Sequence, residues 1–244
     1  MNGMINVMRR ELAGYFATPV AYVFLVIFLV MTGIFTFYLG GFYERGFADL
    51  DPFFRFHPWL YLFLVPAISM RLWAEERRGG TIELLFTLPL TTTQAVLGKF
   101  LAAWLFIGVA LLLTLPVWLT VNYLGAPDNG VILAAYLGSW MMAGGFLAIG
   151  SCMSALTRNQ VIAFILSVVV CFLFLLSGLP MVMNLFKDWA PQVFLDGIAS
   201  LSVLRHFADI SKGVIDLRDL VYFVLLTGFW LIANVLILDI KKAD

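Results

Sequence analysis

Residues Glu75–Lys99 read EERRGGTIELLFTLPLTTTQAVLGK, a polar interruption between two long apolar runs. Gly79 and Gly80 free the backbone from the preceding run, and Thr81 can cap the amides of a new helical turn. Ile82, Leu84, Leu85 and Leu88 then place apolar side chains on a short helix over 81–88. Glu83 falls in its first turn, where a negative charge suits the helix dipole. Pro89 follows where a helix must stop or bend. A short, half-apolar helix between membrane runs is built to dock on another protein.

Working outward, the chain has the composition of a membrane protein. It is 62% hydrophobic and 12% charged, with a mean hydropathy of +0.98, outside the soluble globular range. A formal net charge of +0 gives no basic field for nucleic acid, which is not an expected partner. Cys152 and Cys171 lie inside apolar runs and read as small buried hydrophobes rather than a disulfide pair. No cleavage-type site follows a short apolar core near Arg9 and Arg10, so the first run is expected to be retained.

The expected fold is an all-α integral membrane protein formed by one transmembrane domain over 1–244. Residues 4–16 place Ile5, Met8, Leu12, Tyr15 and Phe16 at helical spacing among Asn6, Arg9, Arg10 and Glu11. That pattern predicts an interfacial helix; the alternative is a plain cytoplasmic start to the first span. Six spans are expected at 20–39, 58–73, 94–124, 131–156, 161–183 and 220–238, each judged against about 30 Å of hydrocarbon. The third is longer than one crossing needs and should tilt or bend near Pro116. GAPDNG at 125–130 is a tight turn. Residues 184–219 mix apolar and charged positions, predicting an amphipathic or partly re-entrant outer hairpin.

Orientation follows from Lys and Arg near span ends. Arg9, Arg10, Arg71, Arg77, Arg78, Lys99, Arg158, Lys241 and Lys242 fall on one side, and Arg45, Arg55, Lys187, Arg205, Lys212 and Arg218 on the other. The count is 9 against 6, or 9 against 2 without the last connection. Both termini and the 75–99 loop are therefore expected in the cytoplasm.

The runs hold almost no ionisable residue, which argues against a proton- or sodium-driven carrier. His57 and His206 fall in the outer connections, without a cluster that would make them metal ligands or bases. No metal site and no catalytic residue is expected. Ser139, Ser151 and Ser154 lack a histidine within any span and suit helix packing better than hydrolysis. Gly98-Lys99 resembles the end of a nucleotide-binding loop, but Phe100 and Thr93 break the pattern. ATP and magnesium would have to be bound by a separate ATPase subunit. Gly144, Ala148 and Cys152 repeat every four residues and allow close helix approach, within one subunit or between subunits.

Three segments carry a family resemblance: RRELAGYFATPVAYVF (9–24), EERRGGTIELLFTLPLTTTQAVLGKFLAAW (75–104) and KGVIDLRDLVYF (212–223). They resemble type 2 ABC exporter permeases, with the nearest likeness to the bacterial branch of the gliding-motility permease GldF. The resemblance implies a multi-pass protein of the bacterial inner membrane, paired with a second permease copy or a related permease. It also implies two cytoplasmic ABC ATPase subunits and admits an accessory membrane or periplasmic subunit. The 81–88 segment becomes a coupling helix. Its apolar face (Ile82, Leu84, Leu85) would enter an ATPase groove, and Glu76, Arg77, Arg78 and Glu83 would form a charged rim. Gly80, Thr81 and Pro89 would bound the helix. Cargo is left open, as is a force-transmitting scaffold that moves no solute.

Overall fold

The computed structural model describes residues 2–83, 89–179, 181–182, 184 and 191–242. Among them the chain is helical throughout, with no strand. Helix α1 (Asn2–Ala17) stops at Thr18, and Pro19 opens α2 (Pro19–Ile34), where a missing N–H costs nothing. A wider turn over Phe35–Leu39 extends α2 and closes with Gly40 N–H on the Phe35 carbonyl at 2.7 Å. Three short helices follow almost without pause: α3 (Asp51–Arg55), α4 (His57–Ser69) and α5 (Arg71–Gly79).

The remaining helices are α6 (Thr92–Leu112), α7 (Leu115–Leu124), α8 (Asn129–Leu156) and α9 (Gln160–Leu176). They are followed by α10 (Gln192–Ser200), α11 (Val203–Ser211) and α12 (Leu217–Lys242). Four continuous stretches are long and apolar enough to cross a membrane: Pro19–Leu39, Thr92–Leu124, Asn129–Leu156 and Leu217–Lys241. Helix α9 is a shorter apolar helix of 17 residues.

The run at 58–73 is not one uninterrupted helix. Ser154 of α8 inserts at Met70: its hydroxyl accepts from the Trp73 and Ala74 amides at 3.1 and 3.0 Å and donates to the Met70 carbonyl at 2.8 Å. A side chain inside the ladder of helical hydrogen bonds is a recognised cause of a break. The third run breaks at Leu113–Thr114, directly before Pro116. Its start is fixed by a reciprocal cap, in which Thr91 Oγ1 accepts from the Gln94 amide and Gln94 Oε1 accepts from the Thr91 amide.

Helix α8 is the axis of the bundle, buried along most of its length. Its glycines admit a different neighbour at each level. A Cβ on Gly138 would meet Ile210 of α11 at 2.7 Å; on Gly144, Trp104 of α6 at 2.9 Å; on Gly145, Leu226 of α12 at 2.9 Å. A Cβ on Gly150 would collide with Ser69 of α4. Small residues thus bring helices together where lipid supplies no hydrophobic drive.

At the opposite end, the connection before α4 is less polar than its charges suggest, because Phe42, Leu50, Phe53 and Phe54 are buried in the core. Helix α11 seats Val203, His206, Phe207 and Ile210 inward, while Asp209 and Lys212 stay outward or at its edge.

Candidate functional site

The start of α1 and the last turns of α12 lie at one end of the bundle, beside the start of α6. There Thr92, in the first turn of α6, donates to Asp239 near the end of α12 at 2.5 Å, and α1 crosses the same end of α6. Gly98 makes that crossing possible, since a Cβ there would lie 2.9 Å from the Met4 carbonyl and from Val7. Further along, Tyr15 stacks on Phe106 with centroids 5.1 Å apart.

The spacing Val7, Glu11, Tyr15 puts Glu11 on this packed face, not on the outer polar side. It meets Lys99, which is only 3% exposed. Lys99 Nζ lies 3.3 Å from Glu11 and 2.8 Å from Glu76 of α5, and 5.3 Å from the centre of the Trp73 ring. One cation therefore joins α1, α5 and α6. Burial works to raise the Glu11 pKa, but Lys99 and then Arg10 outweigh it and hold the carboxyl below its ordinary 4.5. Glu76 uses Oε1 for Lys99, and its Oε2 has no hydrogen-bond partner among the described residues.

A second polar net ties α5 to α8 and α12. Trp73 Nε1 and Asn234 Nδ2 both donate to Ser151 Oγ, at 3.2 and 2.7 Å. Arg77 donates to the Ala155 carbonyl at 2.5 Å, and Lys241 to the Ala155 and Leu156 carbonyls at 3.3 and 2.6 Å. These cations satisfy carbonyls that the last turn of α8 leaves open. Ser139, Ser151 and Ser154 all act as hydrogen-bonding contacts between helices.

Helix α5 ends at Gly80, whose φ of +69° takes the left-handed conformation that glycine tolerates. The Thr81 hydroxyl turns back to the Glu76 carbonyl at 3.4 Å, and residues 81–83 resume helical geometry. Arg78, Gly80, Thr81, Glu83 and Pro89 are exposed, while Ile82 is half-buried against the core. Glu76 is drawn inward to Lys99 and Arg77 leans on α8, so the outward charges here are Arg78 and Glu83. Leu84, Leu85 and Leu88 of the 81–88 segment lie outside the described residues.

On α1, Arg9, Arg10 and Phe16 are exposed and Leu12 is half-buried. Gly144, Ala148 and Cys152 face neighbours in the same chain: Ala148 and Cys152 are buried, and Trp104 covers Gly144. Trp104 is held by Trp140, the rings stacked 4.2 Å apart and each indole N–H bonded to the other's carbonyl. A cleft of about 430 Å³ opens beside the Lys99 joint, between α1, α2 and α4–α5. Its walls are apolar (Phe24, Ile27, Leu64) and its inner end is charged (Glu11, Arg71, Glu76).

The two histidines, which the sequence places in the outer connections, are both buried. His57 is fully buried, stacked on Tyr61 at 5.4 Å, with Nδ1 3.3 Å from Ser139 Oγ. His206 is buried beside Tyr222, 2.5 Å from Asp219 through Nδ1 and 3.0 Å from the Ser200 carbonyl through Nε2. Phe28, from another helix, and Phe53, one turn back, pack around the His57 ring. Among the described residues no group of three His, Cys, Asp or Glu side chains is placed to hold a metal ion.

The helices define a membrane protein of several apolar spans, with the buried Lys99 joint near one end of the bundle. The sequence model of the ABC-2 family transporter proteins matches residues 6–238, and the chain belongs to that family. It is a permease subunit of an ABC transporter, a class of membrane transport subunit that is not itself catalytic and normally works with an ABC ATPase. No curated protein matches the chain.

Proposed function

We propose that the chain is the permease of an ATP-driven exporter and receives its stroke through residues 81–88. The observation that carries this reading is the Lys99 joint. Helix α5, which leads into 81–88, is bound through one buried cation to α1 and α6 and through Ser154 to the axial helix α8. Movement at Gly80 therefore reaches most of the bundle as a rigid body. Leu84 and Leu85 enter a groove of the ATPase, with Arg78 and Glu83 at the rim, while half-buried Ile82 stays against the permease core and Glu76 and Arg77 carry the movement inward.

In this reading the chain crosses the membrane six times, with α4–α5 and α9 supplying the crossings beyond the four long stretches. Both termini face the cytoplasm of a bacterial cell, and two permeases, identical or related, stand over two ATPase copies that bind ATP and magnesium. The motifs at 9–24, 75–104 and 212–223 favour the GldF-like branch, without bringing its physiology to this chain. The apolar cleft with a charged end suits an amphipathic cargo.

The test is purification of the tagged chain from native membranes, with mass spectrometry of its companions. An ATPase subunit should accompany the wild type and be lost from Leu85→Asp, while the mutant keeps its helicity. A chain that emerges alone, or a Leu85→Asp variant that keeps its ATPase, overturns the coupling assignment. An ATPase that stays bound but is never stimulated by any amphiphile favours a force-transmitting scaffold.

A further inference from the structure

Three cations meet where α8 ends. Arg77 and Lys241 both donate to the Ala155 carbonyl, Lys241 also reaches Leu156, and Arg158 follows two residues later in the turn before α9. Burial first, and then the charge of the neighbouring Arg158, lower the Arg77 pKa from its ordinary value. None of the three makes an ion pair among the described residues. The carboxylates on the same elements are engaged elsewhere: Glu75 by Arg71, Glu76 by Lys99 and Asp239 by Thr92. The helix carbonyls use only part of the donor capacity of a guanidinium and an ammonium, which carry five and three N–H groups.

The surroundings favour one class of anion. Leu156, Val161 and Ile162 flank Arg158 along the chain, Leu236 and Ile240 precede Lys241, and all five are exposed apolar side chains. Two apolar helices of the bundle, α8 and α12, end here. A cluster of cations at the ends of apolar helices, with exposed apolar side chains close by along the chain, has the chemistry to hold a phosphate head with its acyl chains alongside. An acidic protein segment would satisfy the charges but would leave the apolar side chains unused.

We propose that Arg77, Arg158 and Lys241 form a binding site for an anionic phospholipid, whose phosphate bridges the end of α8 to α5 and α12. The bound lipid would neutralise the repulsion and fasten α5 to the two helices. The site does not depend on the coupling role of 81–88.

The experiment uses the full chain, delipidated in neutral detergent and titrated with phosphatidylglycerol or phosphatidylcholine, with bound lipid read by native mass spectrometry. Phosphatidylglycerol should bind more tightly, with the preference falling as salt rises. Arg158→Gln is the cleanest variant, because Arg158 is exposed; it should weaken that lipid roughly fivefold and leave phosphatidylcholine unchanged. Arg158→Lys should restore most of the loss. Equal binding of the two lipids, or an unchanged preference in Arg158→Gln and in Arg158→Gln/Lys241→Gln together, overturns the proposal. So does a wild-type chain that shows no lipid preference but loses its ATPase in Arg158→Gln, which would assign the cations to an acidic protein partner.

Discussion

Replacing Lys99 with methionine tests the central joint, because the side chain keeps its length and loses its charge. Lys99 is 3% exposed, while its partners Glu11 and Glu76 are 21% and 19% exposed. Removing one member of a buried ion pair typically costs about 3–5 kcal/mol, because the partner charge is left stranded. Here the carboxylates keep some contact with water, and Glu11 retains Arg10 at 2.8 Å, which moves the expectation to the lower end, about 2–3 kcal/mol. Reversible unfolding in mixed detergent micelles, followed by circular dichroism, measures it.

The discriminating variant is Lys99→Met combined with Glu11→Gln and Glu76→Gln. If stranded charge is the cause, the triple variant should regain at least half of the loss, although it lacks every ion pair of the joint. The Lys99→Met deficit should also shrink in acid, as Glu11 takes up a proton and ceases to be stranded. A Lys99→Met protein within about 0.5 kcal/mol of wild type, the range of an ordinary surface change, refutes the reasoning. A triple variant less stable than the single would also refute it, since packing rather than charge would then be at stake.

Three further outcomes follow from the same contacts. Ser154→Ala should lower stability by about 1–3 kcal/mol, since it leaves the Trp73 and Ala74 amides without an acceptor; amide hydrogen exchange should speed up at those two positions first. Gly144→Val should be worse than Gly228→Val in yield of folded protein, because Trp104 lies 2.9 Å from the new Cβ and Gly228 has nothing within 4 Å; fluorescence-detected gel filtration compares them. Glu11 has its folded pKa below 4.5, so its contribution is present at neutral pH and disappears as pH falls through that lowered value; the wild-type advantage over Glu11→Gln in melting temperature should therefore vanish on acidification.

Much of the architecture could be read along the chain because it is written in local quantities. Runs such as 20–39 and 131–156 are apolar for long enough to be helices in lipid, and Pro116 marks its break by lacking an N–H. The motif at 75–104 carried the family likeness for the same reason: capping residues, glycines and a proline lie within one stretch. The pattern at 184–219 reads as an amphipathic or re-entrant hairpin; of this stretch α10 and α11 are described helices, and α11 buries Val203, His206, Phe207 and Ile210.

Other features were out of reach because they depend on which helices approach one another. Lys99 gave a hint, a lone cation opening an apolar run, and Glu11 sits four residues from Val7 and four from Tyr15. Nothing local says that these two carboxylate and ammonium groups, with Glu76, converge on one point. Ser154 looked like a packing residue, yet it breaks the helix at Met70, more than eighty residues earlier in the chain. His57 and His206 fall in polar connections of the sequence, yet Phe28 from another helix and Tyr222 from α12 help to bury them. Hydrophobic period and turn chemistry are properties of neighbours in sequence. Burial, ion pairing and inserted hydrogen bonds arise only when the glycines of α8 let distant helices close to contact, and there the packing has the last word.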